Sequence, residues 1–276
     1  MTNRSPGGRH RIAPPHALPL LLAAGSLLLA GCGGAAGTTP DAGATGVASS
    51  AAPATLTVFA AASLTATFSE MEPIWEAAHP GTDLQFSFAG SSDLVSQLTA
   101  GAPADVLATA DQRTMTQATD ASLVTDPVTF ATNTLQILVA PGNPKGITGA
   151  EDLASDDVVT VICAAQVPCG AATKTAFDDA GITLKPASEE NAVTDVVGKV
   201  TSGEADAGVV YATDVASAVS KGTGEGVDLG LTTKPNTYPI GVVAESDSPD
   251  LAADFVAFVT GTEGQAILSK AGFGAP

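Results

Sequence analysis

The sequence predicts an α/β fold, because short apolar strands alternate with helical segments along most of the chain. Residues 56–60 form a short apolar strand, and Leu64, Phe68, Met71, Trp75 and Ala78 then recur at helical spacing, which predicts one buried helix face. Strands separated by helices favour parallel sheets. Aromatic residues make up only 4% of the chain, and the abundance of Ala, Gly and Val suits close packing of helices on sheets.

The remaining elements follow the same alternation. Leu84, Phe86 and Phe88 alternate as in a strand, and Leu94, Val95 and Leu98 lie on the next helix. Further buried strands are predicted at 105–108, 134–140, 158–163, 207–211 and 240–244. Helices are predicted at about 169–180, 192–202, 251–260 and 263–271. The chain shows no internal repeat.

The first 31 residues are typical of a secretory signal. Arg4, Arg9 and Arg11 precede an apolar run over residues 17–30 that is too short to span a bilayer. The run ends in Leu-Ala-Gly-Cys32, which resembles the bacterial lipobox, so we expect Cys32 to be the lipidated N-terminus of the mature protein. The alternative is a chance cysteine after an ordinary signal. Residues 33–53 are mostly Gly, Ala, Thr, Ser and Asp, and together with Cys32 they are predicted to form a flexible tether at 32–53.

Two cysteines remain, Cys163 and Cys169, six positions apart. In an oxidising compartment such a pair usually forms a disulfide, which is what we expect here. A metal site would need further soft or imidazole ligands, and no histidine is near in the sequence. A redox motif would have tighter spacing.

Composition disfavours nucleic-acid binding and catalysis. The net charge is −18, whereas nucleic-acid-binding proteins need a basic face. His10 and His16 lie in the predicted signal, which leaves His79 for the mature chain. The sequence contains no Ser/His/Asp set, nucleophile elbow, P-loop or dinucleotide-binding glycine motif. Its many carboxylates suit a solvated surface.

Small residues and hydroxyls occur where three predicted strands lead into helices. These junctions contain Ser63, Ser91 and Cys169, and none of them contains Lys or Arg. Helix N-termini are natural anion sites, and in open α/β sheets ligands bind at the carboxyl ends of strands. Neutral donors alone suit a fully deprotonated oxyanion. The alternative is ordinary helix capping, for which Ser and Asp are favoured regardless of function.

Several strings at these junctions resemble the periplasmic molybdate-binding proteins of ABC transporters. They are Thr57–Leu64 (TVFAAASL), Phe88–Ser92 (FAGSS), Gly101–Val106 (GAPADV) with Ala110–Gln112 (ADQ), and Gly208–Tyr211 (GVVY). The resemblance extends over about residues 56–273. It implies a two-lobed (type II) periplasmic-binding-protein fold in which each lobe has a mainly parallel sheet flanked by helices. Two crossovers would form the hinge, with one lobe of residues 54–133 plus 237–276 and the other of 134–236.

The same resemblance implies a ligand site in the cleft. The family's binding serines correspond to Ser63 and Ser91, its backbone amides to Cys169 and Val193, and its tyrosine hydroxyl to Tyr211. Gly90 stands where serine is common, so we expect a looser loop there. Because the contact of Cys169 is through its amide, its side chain is free to pair with Cys163, and the bridge would stiffen the loop.

The implied function is a non-enzymatic receptor for molybdate and tungstate. It would be a monomer without a cofactor, anchored through Cys32 to the outer face of the cell membrane and serving an ABC permease. Other hypotheses stay open on the sequence alone: a receptor of the same class for sulfate, phosphate or an organic anion, an extracellular enzyme, or a surface scaffold. A phosphate receptor commonly needs a carboxylate in its site, and Asp93 is the nearby candidate.

Overall fold

The computed structural model describes residues 54–276. The predicted signal at 1–31, Cys32 and the tether at 32–53 lie outside the described residues. The strands are β1 (Ala54–Ala61), β2 (Thr82–Ala89), β3 (Val106–Ala108), β4 (Val124–Asn133), β5 (Leu135–Val139), β6 (Thr160–Cys163), β7 (Ser188–Glu190), β8 (Ala207–Tyr211), β9 (Glu225–Val227) and β10 (Asn236–Val243).

Within residues 54–276, eight α-helices accompany these strands. They are α1 (Thr65–Ala78), α2 (Ser91–Thr99), α3 (Gln112–Asp120), α4 (Pro168–Asp179), α5 (Val193–Ser202), α6 (Ala212–Ser220), α7 (Pro249–Thr260) and α8 (Thr262–Lys270). Short 3₁₀ turns span Ala62–Leu64 and Ala150–Ala154. The two-lobed α/β fold predicted from the sequence is confirmed.

Each lobe contains one five-stranded sheet. The strand orders are β2-β1-β3-β10-β4 and β7-β6-β8-β5-β9. In the first sheet β1 pairs in parallel with β2 and β3, while β10 is antiparallel to both β3 and β4. In the second sheet β6 pairs in parallel with β7 and β8, while β5 is antiparallel to both β8 and β9.

The sheets are therefore more mixed than the predicted mainly parallel sheets. Four strands of each sheet run in one direction, and the fifth, β10 in the first sheet and β5 in the second, runs the opposite way. Because this reversed strand has a neighbour on both sides, two of the four strand pairings in each sheet are antiparallel. The reason is the chain path. Strands β5 and β10 are the ones that enter a sheet from the other lobe, so they start at the cleft, where the parallel strands end.

The predicted buried face of α1 is mostly confirmed. Phe68, Met71 and Trp75 are fully buried, and Phe255 of α7 packs edge-on against Phe68 and Trp75 with ring centroids 5.8 Å away from each. Ala78 was expected on this face and is exposed instead. It lies in the last helical turn, where His79 stacks on Trp75 at 4.0 Å.

Candidate functional site

All five residues predicted to bind the ligand line one small cavity between the two lobes. The cavity has a volume of about 10 Å³, and its walls include Ser63, Ser91, Cys169, Val193 and Tyr211. Lobe 1 contributes the first two residues and lobe 2 the other three. A space of this size holds about one water-sized body, so the lobes are nearly in contact around it.

Three helices begin at the cavity wall. Ser91 is the first residue of α2, Val193 is the first residue of α5, and Cys169 is the second residue of α4, after Pro168. Amides in the first helical turn have no intrahelical acceptor, and the helix dipole places partial positive charge there. The three helix N-termini therefore present amide donors and a favourable potential for an anion.

Among residues 54–276, none that lines the cavity is charged at neutral pH. An anion inside would be held by hydrogen bonds and helix dipoles alone, without an ion pair. Neutral hydrogen bonds are directional, so such a wall selects by the geometry of the oxygens.

The Ser91 hydroxyl is arranged as a donor. Its oxygen accepts the Ala110 N–H at 3.0 Å, and the side chain is almost completely buried. Because that bond uses an oxygen lone pair, the hydroxyl proton is free to point at a ligand. Ser63, in the 3₁₀ turn after β1, shares a 3.0 Å hydrogen bond with the Tyr238 hydroxyl. When Tyr238 donates, the Ser63 proton is likewise free.

The Tyr211 hydroxyl is supported in the same way. It accepts a hydrogen bond from Asn236 Nδ2 at 3.0 Å, and the same amide nitrogen donates to the Ala110 carbonyl at 3.0 Å. Burial, reinforced by Tyr238 and by nearby acidic groups, raises the pKa of Tyr211 well above its ordinary value. Burial also raises the pKa of Tyr238. Both hydroxyls therefore keep their protons at physiological pH and can donate them.

Residues 56–274 match the family model described as bacterial extracellular solute-binding protein. The chain belongs to this family. Its members are receptors for solutes, and the cleft with its lining donors is where such a protein would hold one.

Known proteins agree with this assignment. This solute-binding protein is 44% identical over 228 residues to a molybdate-binding protein, ModA, of Mycobacterium tuberculosis, covering 80% of the chain and 85% of that relative. Its fold is similar to a solved periplasmic molybdate-binding protein of Azotobacter vinelandii, with a TM-score of 0.69, 20% identity and coverage of 80% and 99%. The sulfate-binding protein SubI of M. tuberculosis also has a similar fold, with a TM-score of 0.69, 19% identity and coverage of 80% and 86%.

The expected disulfide is present in the solute-binding protein. Cys163 and Cys169 are bonded, with Cα atoms 5.7 Å apart. The loop they enclose leads directly into α4, and both Val167 and Cys169 line the cavity. Thus the bridge borders the segment that presents the Cys169 amide.

Gly90 does not sit in a loose loop, contrary to the expectation. It is buried, with φ −59° and ψ 136°, values that any residue can adopt. A Cβ at this position would lie 2.0 Å from the Asn191 carbonyl oxygen and 3.2 Å from Val167 Cγ1. Glycine is needed here because the second lobe packs directly on the backbone.

Sequence reasoning missed the residues that support the hydroxyls. Tyr238 and Asn236 lie in β10, just after the second crossover, and the Ala110 backbone contacts both Ser91 and Asn236. No local motif marks these residues. The available signal was the predicted crossover at 236–237, since residues at a hinge start lie beside the cleft.

Two further observations bound the chemistry. Among residues 54–276, no group of three or more His, Cys, Asp or Glu side chains is placed to hold a metal ion. Within the same range, no helix is long and apolar enough to cross a membrane.

Proposed function

We propose that this protein is an extracytoplasmic receptor that binds molybdate and tungstate and delivers them to an ABC permease. The observation that carries the proposal is the uncharged cavity, to which three helix N-termini and three supported hydroxyls converge. The 44% identity to a molybdate-binding protein over most of both chains supports the choice of ligand.

In this proposal the anion is held by five donors. The hydroxyls of Ser63, Ser91 and Tyr211 and the amides of Cys169 and Val193 would each donate to a ligand oxygen. A hydrogen-bonded oxygen approaches its donor to roughly 2.8 Å, closer than van der Waals contact. The walls can therefore accept a tetrahedral ion that is larger than the free volume suggests. An organic solute would be too large for the closed cleft.

The lining favours a fully deprotonated anion over phosphate. At neutral pH phosphate carries a proton that needs an acceptor, and in the described part of the chain no carboxylate lines the cavity. Asp93 lies in the first turn of α2 and is not part of the wall. Sulfate carries no proton, so discrimination between molybdate and sulfate would depend on size. Donors spaced for the longer metal–oxygen bonds would contact sulfate loosely.

The proposed lobes are residues 54–133 plus 237–276 and residues 134–236. The first boundary follows Asn133, the last residue of β4, and the second falls one residue into β10, which begins at Asn236. Lobe 1 would bind the anion first through Ser63 and Ser91. Closing would then bring Tyr211 and the two amides of lobe 2 onto it, so the ligand stabilises the closed state.

We further propose a receptor without a cofactor or catalytic activity. Among residues 54–276 the one histidine is His79. Its ring stacks on Trp75, and its Nδ1 lies 2.8 Å from the Trp75 carbonyl oxygen, so it is engaged away from the cavity. The mature protein would be a monomer held by lipidated Cys32 and the 32–53 tether on the outer face of the cell membrane. We also propose that the protein does not bind nucleic acid, because its composition is acidic.

Calorimetric titration of the purified protein with molybdate, tungstate, sulfate and phosphate tests the proposal. We expect one-to-one saturable binding of the first two and no detectable heat from the others. Replacing both Ser63 and Ser91 with alanine should abolish binding while the protein stays folded. A surface scaffold would be unaffected by this change. If all four anions give no heat, the oxyanion proposal is wrong.

A further inference from the structure

The cavity is bordered by a short loop that the disulfide closes into a ring. Residues 164–167 connect β6 to α4, and the disulfide joins Cys163, the last residue of β6, to Cys169, the second residue of α4. Inside it, the Val167 N–H donates to the Ala164 carbonyl at 3.0 Å. A Cβ on Gly170 would lie 2.0 Å from that same carbonyl oxygen, so α4 begins directly against the loop. The ring is therefore compact and has little freedom to change shape.

Two hydrogen bonds from the first lobe end on one carbonyl of this loop. Ser92 Oγ of α2 donates to the Gln166 carbonyl at 2.6 Å, and Arg113 Nη2 of α3 donates to it at 2.8 Å. Among the described residues, these are the side-chain hydrogen bonds that join the lobes away from the two crossovers. Arg113 and Gln166 are exposed and Ser92 is half-buried. Both bonds must break when the lobes separate.

The same loop carries part of the candidate site. Gln166 is followed by Val167, which lines the cavity, and Cys169 lies three residues beyond Gln166. Within the second lobe, the Gln166 side-chain Nε2 donates to Asn191 Oδ1 at 3.3 Å, next to the start of α5. A force that holds the Gln166 carbonyl against lobe 1 therefore also holds the amides at the starts of α4 and α5 toward the cavity.

We infer that residues 163–169 act as a latch that keeps the cleft closed, because Ser92 and Arg113 of the first lobe hydrogen-bond the Gln166 carbonyl in this segment. We call this segment the latch loop. The inference rests on the proposed function, because it assigns the latch the task of retaining the bound anion. Ser92 and Arg113 are positioning residues: neither lines the cavity, and they act through the loop that presents the Cys169 amide.

The latch affects release of the anion more than its capture. The anion enters the open form, in which neither bond exists, but it leaves only after both bonds are broken. Each bond is at an exposed rim, so water competes for its partners and each contributes modestly. We expect loss of both to speed dissociation about tenfold, which corresponds to one or two net hydrogen bonds of this kind.

The test compares two double variants of the whole protein. Ser92→Ala with Arg113→Gln removes both donors. Ser96→Ala with Lys174→Gln is the matched control, because Ser96 bonds the Ser92 carbonyl within α2 and Lys174 pairs with Asp178 within α4. Both pairs of changes lose one hydroxyl and one positive charge. Dissociation of radiolabelled molybdate is followed after adding excess unlabelled molybdate, and association and the Tm without ligand are measured in parallel.

The latch predicts a dissociation rate about tenfold higher for the first pair, with the association rate and unliganded Tm close to those of the control. Ser92→Thr with Arg113→Lys keeps both donors and should restore most of the retention. Cys163→Ala with Cys169→Ala should also speed release, because the Gln166 carbonyl loses its restraint. Equal dissociation rates for the test and control pairs would overturn the latch. If the unsubstituted protein binds no oxyanion, the proposed function fails, and the latch fails with it because there is no anion to retain.

Discussion

Gly90 and Asn191 face each other across the cleft at a distance that leaves no room for a side chain. An ideal Cβ on Gly90 would lie 2.0 Å from the Asn191 carbonyl oxygen. Gly90 precedes α2, and Asn191 lies two residues before α5. Helices α2 and α5, whose N-termini reach the cavity from opposite lobes, can therefore approach each other because position 90 is glycine.

Gly90→Ala is expected to block full closure of the lobes. The backbone angles at Gly90 suit alanine, so the unliganded protein should fold normally, but the methyl group would hold the lobes apart. We expect molybdate affinity to fall about tenfold or more, since the second lobe's donors would no longer reach the anion. Titration calorimetry measures the effect.

Gly198→Ala is the matched control for this change. Gly198 lies inside α5, has no positive φ, and a methyl group added to it would have nothing within 4 Å. Alanine there should leave affinity unchanged and raise stability by about 0.5–1 kcal/mol through its helix propensity. If Gly90→Ala binds as tightly as Gly198→Ala, the inferred lobe contact at Gly90 does not limit closure.

The two buried tyrosines should differ in their importance for binding. Tyr211→Phe removes the hydroxyl of a residue that lines the cavity, whereas Tyr238→Phe removes the hydroxyl that bonds Ser63, and Tyr238 does not line the cavity. We expect the first change to lower affinity about tenfold or more and the second to lower it only several-fold, because Ser63 remains. Equal losses, measured by calorimetry, would contradict the assigned roles.

Stability should fall as pH rises because of Asp214. Burial raises the pKa of this carboxyl from 3.8 to about 7, although its bond to the Tyr211 N–H opposes the shift. Between pH 4 and 7 the folded state therefore binds more protons than the unfolded state, so stability decreases across this window and levels off above pH 7. The Tm of the unliganded protein, measured from about pH 5 to 8, should show this decline.

Asp214→Asn provides the control, because its amide oxygen can still accept the Tyr211 N–H without gaining charge. The variant should have a flatter dependence of Tm on pH and a higher Tm at about pH 8. Asp152 and Glu190 do not affect the comparison of the two pH profiles. Hydrogen bonds from Thr148 and Lys199 lower their pKa values, so their contribution is lost only at more acidic pH. An unchanged slope in Asp214→Asn would rule out this carboxyl as the cause.

The disulfide should also contribute to the stability of the unliganded protein. Closing a ring between residues six apart restricts the unfolded chain, which is worth about 2 kcal/mol in the chain-entropy model. Cys163→Ala with Cys169→Ala should therefore lower the Tm by about 5 °C for a domain of this size. Reduction of the unsubstituted protein should lower the Tm by a similar amount, and no change in either case would contradict the prediction.

The elements that the sequence predicted well are those with a strong apolar period. Every residue of β8 is buried, and the large side chains Phe68, Met71 and Trp75 of α1 are buried at helical spacing, so both patterns are clear. Strand β4 was missed because it contains Asp126 and Pro127 and lies at a sheet edge, where such residues are tolerated. Helix α3 was missed because Met115 and Ala118 are its only apolar residues.

The candidate site divides in the same way. Ser63, Ser91, Cys169, Val193 and Tyr211 could be named from strings that resemble a family, and the fold brings all five to one cavity. The contacts that orient them could not be predicted, because they join residues far apart in the chain. Ser63 and Tyr238 are 175 positions apart, and Arg113 and Gln166 are 53 apart.

The central claim is that molybdate binds in this uncharged cavity, and a crystal structure of the molybdate complex tests it most directly. Anomalous diffraction at the molybdenum edge locates the metal without assumptions about the density. We expect one strong peak between the lobes, with ligand oxygens within hydrogen-bond distance of the Ser63, Ser91 and Tyr211 hydroxyls and the Cys169 and Val193 amides. A peak at any other place, or oxygens paired with a lysine or arginine side chain, would contradict the claim.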